Sequence, residues 1–260
     1  MTQLINFIRG DRSQEGTPGF RIRGAHVLGD IVNSRPALAG PSNEGWARLA
    51  LADGGGATYN TYIDGPKLTR DEVIYVGSND GMLHGFNADT GVEIMAYIPY
   101  AVQTKLGALA NPVFQHEAFV DGQVTIGDAY NGSWKTVLVG SLGAGGRGIY
   151  ALDVTNPANP GVLWDFSFED DPELGFTFGQ PIITRLGDGT WVAIFGNGYG
   201  GASGQAYLYV RELFTGAQLA KIALGNPGAN GLSGASALLE PVNPNFLTRI
   251  YAGDLNGTMW

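Results

Sequence analysis

The sequence predicts an all-β fold, a β-propeller of which these 260 residues supply a partial ring of about four blades with short helical insertions. Three observations lead there. The first is a recurring strand that closes on a glycine. It appears as Val73-Ile74-Tyr75-Val76-Gly77, Thr136-Val137-Leu138-Val139-Gly140, Val192-Ala193-Ile194-Phe195-Gly196 and Arg249-Ile250-Tyr251-Ala252-Gly253, with steps of 63, 56 and 57 residues between glycines. The second is a repeated continuation. A return strand follows at Met82–Asn87, Gly148–Asp153 and Ala206–Val210, and Thr90-Gly91 is matched by Thr215-Gly216. The third is composition: 41 glycines and 13 prolines with only 15% charged residues suit many short strands joined by tight turns.

Residues 1–35 read as a lead-in and 36–260 as the partial propeller. In the lead-in, Leu4 to Arg12 has amphipathic helical spacing, Asp11 to Gly19 is a polar linker, and Phe20 to Arg23 alternates as an edge strand would. Ala37 to Gly40 is a strand before the first full blade; Gly179–Thr184 and Gly234–Leu239 play that part later. Small residues suit strands that converge near a central axis. Pro41 to Arg70, with Gly54-Gly55-Gly56, reads as a long irregular insertion.

Within the first blade, Gly77–Gly81 is a tight turn in which Gly81 supplies positive φ, and Gly91 serves the second turn before the strand Val92–Ile98. Ala101 to Ala110 has helical spacing. Phe119 to Asp128 alternates around a Val120-Asp121-Gly122 turn and reads as a strand pair. The loops Ser141–Arg147 and Asn197–Gln205 carry the insertions. Phe166 to Phe176 is an acidic loop that Pro172 keeps out of a ladder. Asp254 to Gly257 opens another turn, with Gly257 at its close, so the chain stops one strand and a turn into a fourth unit and reads as a piece of a longer protein.

The net charge of −9 argues against nucleic acid and anionic membrane surfaces as partners. There is no cysteine, which removes thiol catalysis and thiolate metal sites, and no apolar run long enough for a transmembrane segment. The N-terminus lacks the apolar core of a signal peptide.

No catalytic residues can be named. His26, His84 and His116 share no metal-binding spacing, and His84 alternates with Met82 and Phe86 as half-buried packing would. Gly143–Gly148 is glycine-rich but precedes a strand, so it fails the context test for a phosphate cradle. Arg147 stands there as a loop-tip cation. Asn79-Asp80-Gly81 and Glu169–Glu173 are better explained by turn chemistry and a solvated loop than by ligands. Arg9-Gly10-Asp11 is a tripeptide that integrins read; it also suits the end of a helix with Asp11 solvated.

Several runs together resemble one family. They are Arg9–Glu15, LGDIVNSRP from Leu28, IYVGSNDGMLHGF from Ile74, WKTVLVGSLGAGGRGIYALDVTNP from Trp134, FGNGYG from Phe195 and RIYAGDLNGTMW from Arg249. In this order they resemble the C-terminal propeller of the type IV pilus tip adhesins and biogenesis factors, the PilY/PilC family. The resemblance implies an exported, surface or pilus-tip protein. It would act in adhesion and in the balance of pilus extension against retraction, with minor pilins and a host receptor or abiotic surface as partners.

The resemblance also implies a calcium loop before the strand at Arg249. Laid onto this chain its positions are Glu240, Val242, Pro244 and Thr248, of which only Glu240 offers a carboxylate, so no tight calcium site and no other cofactor is expected. Two other readings stand beside this one. A quinoprotein-type dehydrogenase is suggested by the blade-docking pattern of Ala88–Gly91 and of Ala151–Asp153 with Trp164, although Ala96 and Tyr97 stand where the first docking tryptophan belongs. A propeller scaffold for outer-membrane assembly is the third.

Overall fold

The computed structural model describes residues 2–16, 19–240 and 246–260. Fifteen strands make four antiparallel sheets among the described residues. The first sheet is β1 (Ala37–Ala39), β2 (Val73–Gly77), β3 (Leu83–Asn87) and β4 (Glu93–Tyr97) in that order. The second is β5 (Val124–Tyr130), β6 (Trp134–Ser141), β7 (Gly148–Asp153) and β8 (Gly161–Ser167). The third runs β9 (Ile182–Arg185), β10 (Trp191–Gly196), then past β11 (Gly198–Tyr199) to β12 (Ala206–Glu212) and β13 (Gln218–Leu224). The fourth joins β11 to β14 (Gly231–Leu239) and β15 (Leu247–Asp254), and Gly253 bridges Met259. Successive sheets touch along one side: β1 meets β5, β5 meets β9, and β9 meets β14. That is the arrangement of propeller blades around an axis.

The packing explains why the strand cores read as unbroken apolar runs. Successive side chains point to opposite faces, and here both faces are buried. On β6, Leu138 joins the core shared with the first sheet, while Val137 and Val139 join the core shared with the third. On β10, Ala193 and Phe195 face the second sheet, and Val192 and Ile194 face the fourth. Three apolar layers therefore separate four blades.

The anchor glycines mark close approaches. A Cβ on Gly77 would lie 2.2 Å from the Val120 carbonyl oxygen, on Gly140 2.3 Å from the Tyr150 ring, and on Gly196 2.3 Å from the Ser233 carbonyl oxygen. Gly253 meets no such neighbour. The turn glycines Gly81, Gly91, Gly216 and Gly257 all have positive φ, as their turns require.

Several expectations change. The lead-in helix α1 covers Thr2–Ile8, and its Phe7 is buried in the core of the first two sheets. Phe20–Arg23 is not a strand. Its alternation serves ring contacts instead: Phe20 packs on Phe7, Arg21 lies over Phe114, and Arg23 lies over Phe7. Pro41–Arg70 is not irregular. It folds into two 3-10 turns, α2 (Ala57–Tyr62) and a π turn (Ile63–Lys67), burying Trp46, Tyr59, Tyr62 and Lys67. Phe119–Asp128 is no strand pair. Only its second half is a strand, β5; Val120 and Asp121 donate backbone hydrogen bonds to Ser78 and Leu142 and tie two blades together. Helical turns at Tyr100–Lys105 and α3 (Gly107–Ala110) match the spacing read there. The Asn197–Gln205 loop contributes β11 to the fourth sheet.

Candidate functional site

A cleft of about 620 Å³ lies where the end of α1 and Val27-Leu28 approach β3 and β4. Arg9, Leu28, Met82, His84, Glu93 and Tyr97 line it. His84 is 3% exposed, so it is not the half-buried packing residue its alternation suggests. Its Nε2 lies 3.0 and 3.1 Å from the Asp80 carboxylate oxygens and its Nδ1 lies 2.5 Å from Glu93. Glu93 reaches it through a β-bulge. His84 pairs with Ala96 and Gly85 with Met95, but Phe86 pairs with Glu93, so Ile94 is the extra residue. Without the bulge Glu93 would oppose Asn87 and point to the other face.

Burial alone would disfavour the imidazolium, but hydrogen bonds and charge from Asp80 and Glu93 outweigh it and raise the His84 pKa. The folded value therefore exceeds the unfolded one. The resulting stabilisation is fully present below about pH 6.5 and is lost as pH rises through the higher folded value. Thermal melting across pH will show stability falling above that point, and His84→Gln will flatten the fall.

The run Leu28–Ser34 is a strap over this corner. Gly29 N–H donates to Asp80 (2.9 Å), and Asn79 N–H donates to the Asp30 carbonyl (3.0 Å). The Asn33 N–H and side-chain amide donate to Asp121 (2.9 and 2.6 Å), and Gly77 N–H donates to Ser34 Oγ (2.8 Å). A Cβ on Gly29 would lie 2.4 Å from Asp80 N. His116 Nε2 lies 2.8 Å from Asp30; burial works against that carboxylate, yet His116 and Asn79 hold its pKa below the usual range. Asp80 and Asp121 are thus consumed by backbone and amide donors, beyond simple turn chemistry.

Of the other sequence-singled residues, Arg9 and Gly10 line the same cleft and the rest lie apart. Arg9 and Asp11 are exposed just past α1; Gly10 has positive φ, and Asp11 accepts from Ser13 N–H at 2.7 Å. His26 is exposed. Arg147 lies over Phe176 and Phe168, which are 37% and 44% exposed. In the acidic loop, Asp171 accepts from Lys221 (2.7 Å) and Tyr209 (2.8 Å), joining the second and third blades. The Glu240 N–H donates to Phe246, and Thr248 Oγ1 donates to Leu238; Val242 and Pro244 lie outside the described residues.

Sequence reasoning missed one cluster. Lys67 Nζ lies 2.5 Å from Asp128 Oδ2, 2.6 Å from the Ser42 carbonyl and 3.7 Å from Glu44. Tyr59 donates to Asp128 Oδ2 at 2.8 Å and Thr136 to Oδ1 at 2.9 Å. The Glu44 carboxylate accepts the Asp128 N–H at 3.0 Å and the Trp46 indole N–H at 3.1 Å. The side chains of Lys67 and Asp128 are 2% and 0% exposed. Burial, then the Asp128 charge, raises the Glu44 pKa. The available signal was slight: Asp128 stands among Ile126, Ala129 and Tyr130, whereas Lys67 is flanked by Gly65-Pro66 and Leu68-Thr69 and gives no sign of burial.

Comparison with known proteins bears on the whole arrangement. Residues 28–260 match the family model described as the PilY1 beta-propeller domain. A type IV pilus biogenesis factor PilY1 homolog of Xylella fastidiosa is 42% identical over 280 residues, covering 99% of this chain and 19% of the relative. The type IV pilus biogenesis factor PilY1 of Pseudomonas aeruginosa strain PAK is 42% identical over 262 residues, covering 98% of this chain and 22% of the relative. The crystal structure of the Pseudomonas aeruginosa PilY1 C-terminal domain superposes with a TM-score of 0.73 at 38% identity, over 86% of this chain and 44% of that one. The chain thus spans about a fifth of the length of these curated relatives.

Proposed function

Because this chain belongs to the PilY1 β-propeller family, we propose that it is a non-enzymatic propeller module of a type IV pilus protein. The observation that carries the reading is the family match running through all four blades, from the Leu28 strap to Trp260. On this reading the module is exported and stands at the pilus tip or cell surface. It engages minor pilins, contributes to the balance of extension against retraction, and presents loops to a host receptor or abiotic surface. The reading takes no calcium at the loop led by Glu240. It also fits the use made of the charged side chains in the cleft, where Asp80, Glu93 and His84 satisfy one another and Gly29.

The test is genetic. A strain whose copy of the protein lacks residues 28–260 is compared with one carrying the intact gene, scoring surface pili, twitching motility and attachment to a surface. Loss of surface pili and motility is the expected result. Normal pili and motility would overturn the reading, and dye reduction by the purified protein with added quinone would redirect it to a dehydrogenase.

A further inference from the structure

We propose that Lys67 and Asp128 become joined by an isopeptide bond between Nζ and Cγ, with Glu44 carrying the protons. The inference rests on the cluster's own geometry and is independent of the function proposed above. Three features favour the reaction over a lasting ion pair.

The first is placement. Nζ lies 2.5 Å from Oδ2, which is bonded to Cγ, the carbon it must attack. Holding a nucleophile and its electrophile in one site replaces a bimolecular encounter by an intramolecular step. Both partners are fixed from behind, the amine by the Ser42 carbonyl and the carboxyl by Tyr59 and Thr136.

The second is dryness. The Tyr59 ring lies 4.5 Å and the Tyr62 ring 6.4 Å from Trp134, and the Trp134 indole N–H donates to the Gly54 carbonyl, closing an aromatic wall beside the cluster. Two full charges are costly in such a place. Transfer of a proton from the ammonium to the carboxylate removes both charges and leaves a neutral amine facing a neutral carboxylic acid, which are the reactive forms.

The third is the acid–base partner. Glu44 lies 3.7 Å from Nζ, and burial keeps its pKa above the usual carboxylate range. It can take a proton from the nitrogen after attack and return it to the departing hydroxyl. The balance is simple: the N–C bond forms, one C–O bond breaks, the ammonium and carboxylate become an amide, and one water leaves. No oxidant, reductant or cofactor is needed. The product ties the helical insertion to the second blade and closes a covalent loop between residues 61 apart in sequence.

The experiment is intact mass spectrometry of the purified protein under denaturing conditions, followed by trypsin mapping. The expected wild-type mass is lower than the sequence mass by one water. The map is expected to show a branched peptide joining the segments around residues 67 and 128, with no cleavage after Lys67. Glu44→Gln, which leaves both reacting residues in place, is expected to restore the missing water and cleavage after Lys67, as is Asp128→Ala. An unshifted wild-type mass with separate linear peptides in protein shown to be folded by circular dichroism would overturn the proposal and leave a buried ion pair only. A lost water mapped elsewhere would overturn it too. A cross-link that survives in Glu44→Gln would overturn the role given to Glu44. If the variants fail to fold, the wild-type mass and map alone decide.

Discussion

Trp164→Ala will cost about 3–5 kcal/mol of stability, read as a lower urea midpoint for unfolding of the purified protein. Trp164 is 8% exposed on β8 and faces the core between the second and third blades. Its indole N–H donates to the Leu213 carbonyl at 2.9 Å, and a Cβ on Gly216 would sit 2.6 Å from its Cγ. The ring thus covers the Thr215-Gly216 turn of the next blade and bonds beside it. Truncation opens a large cavity and also leaves the Leu213 carbonyl without its donor, worth about 1 kcal/mol more. Trp164→Phe keeps most of the volume and loses the N–H, so a cost of about 1–2 kcal/mol is expected. Gly216→Ala attacks the same contact from the other side, and its positive φ adds strain. The double variant will cost less than the sum, because both changes break one contact. A loss below about 1 kcal/mol for Trp164→Ala would show that this docking contact does not hold the blades together.

Trp164 also shows what kind of information the sequence carries plainly. The Thr-Gly turn it covers is a repeat signal, Thr215-Gly216 matching Thr90-Gly91, and repeats are visible along the chain, although the tryptophan itself is replaced by Ala96 and Tyr97 in the first unit. The strand-plus-glycine anchors were legible for the same reason, and the structure gives them a cause in Val120, Tyr150 and Ser233 lying against Gly77, Gly140 and Gly196. Contacts that occur once have no such echo. Pro41–Arg70 is a single insertion whose short helical turns are stabilised by aromatic burial against Trp134, not by propensity, so it looked irregular. Lys67, Glu44 and Asp128 meet only through that insertion. His84 looked like ordinary strand packing because the bulge at Ile94, which brings Glu93 to its face, leaves no mark in the alternation. The Leu28–Ser34 strap was legible as a family run but not as a device: its bonds to Asp80, Asn79 and Asp121 span from just under one blade to about one and a half blades of sequence.

The glycine-rich stretch before Ile149 supports the second large prediction. Gly145→Ala will destabilise the protein by about 3 kcal/mol, whereas Gly107→Ala will be close to neutral. A Cβ on Gly145 would lie 1.6 Å from the Phe119 carbonyl oxygen and 2.2 Å from its carbon. The residue has no positive φ, so the penalty is purely one of space. The obstacle is backbone, which cannot rotate away as a side chain could. Nor is Phe119 free to retreat: it is fully buried, and its N–H donates to Asn79 Oδ1 at 2.9 Å. Any displacement therefore travels to Asn79, whose N–H holds the Asp30 carbonyl, and from there into the strap over Asp80 and His84. Gly107 is the contrasting case, since nothing lies within 4 Å of its added Cβ. Alanine there gains a few tenths of a kcal/mol, up to about 1, from a less flexible unfolded chain. Melting temperatures of the two variants separate a general effect of losing glycine from the specific contact at the blade junction. Because the strap's Gly29 N–H donates to Asp80, Gly145→Ala is also expected to weaken the pH-dependent step assigned to His84. A melting temperature within one or two degrees of the wild type's for Gly145→Ala, with that step intact, would mean that the Phe119 segment yields without cost and that the strap is held independently of it.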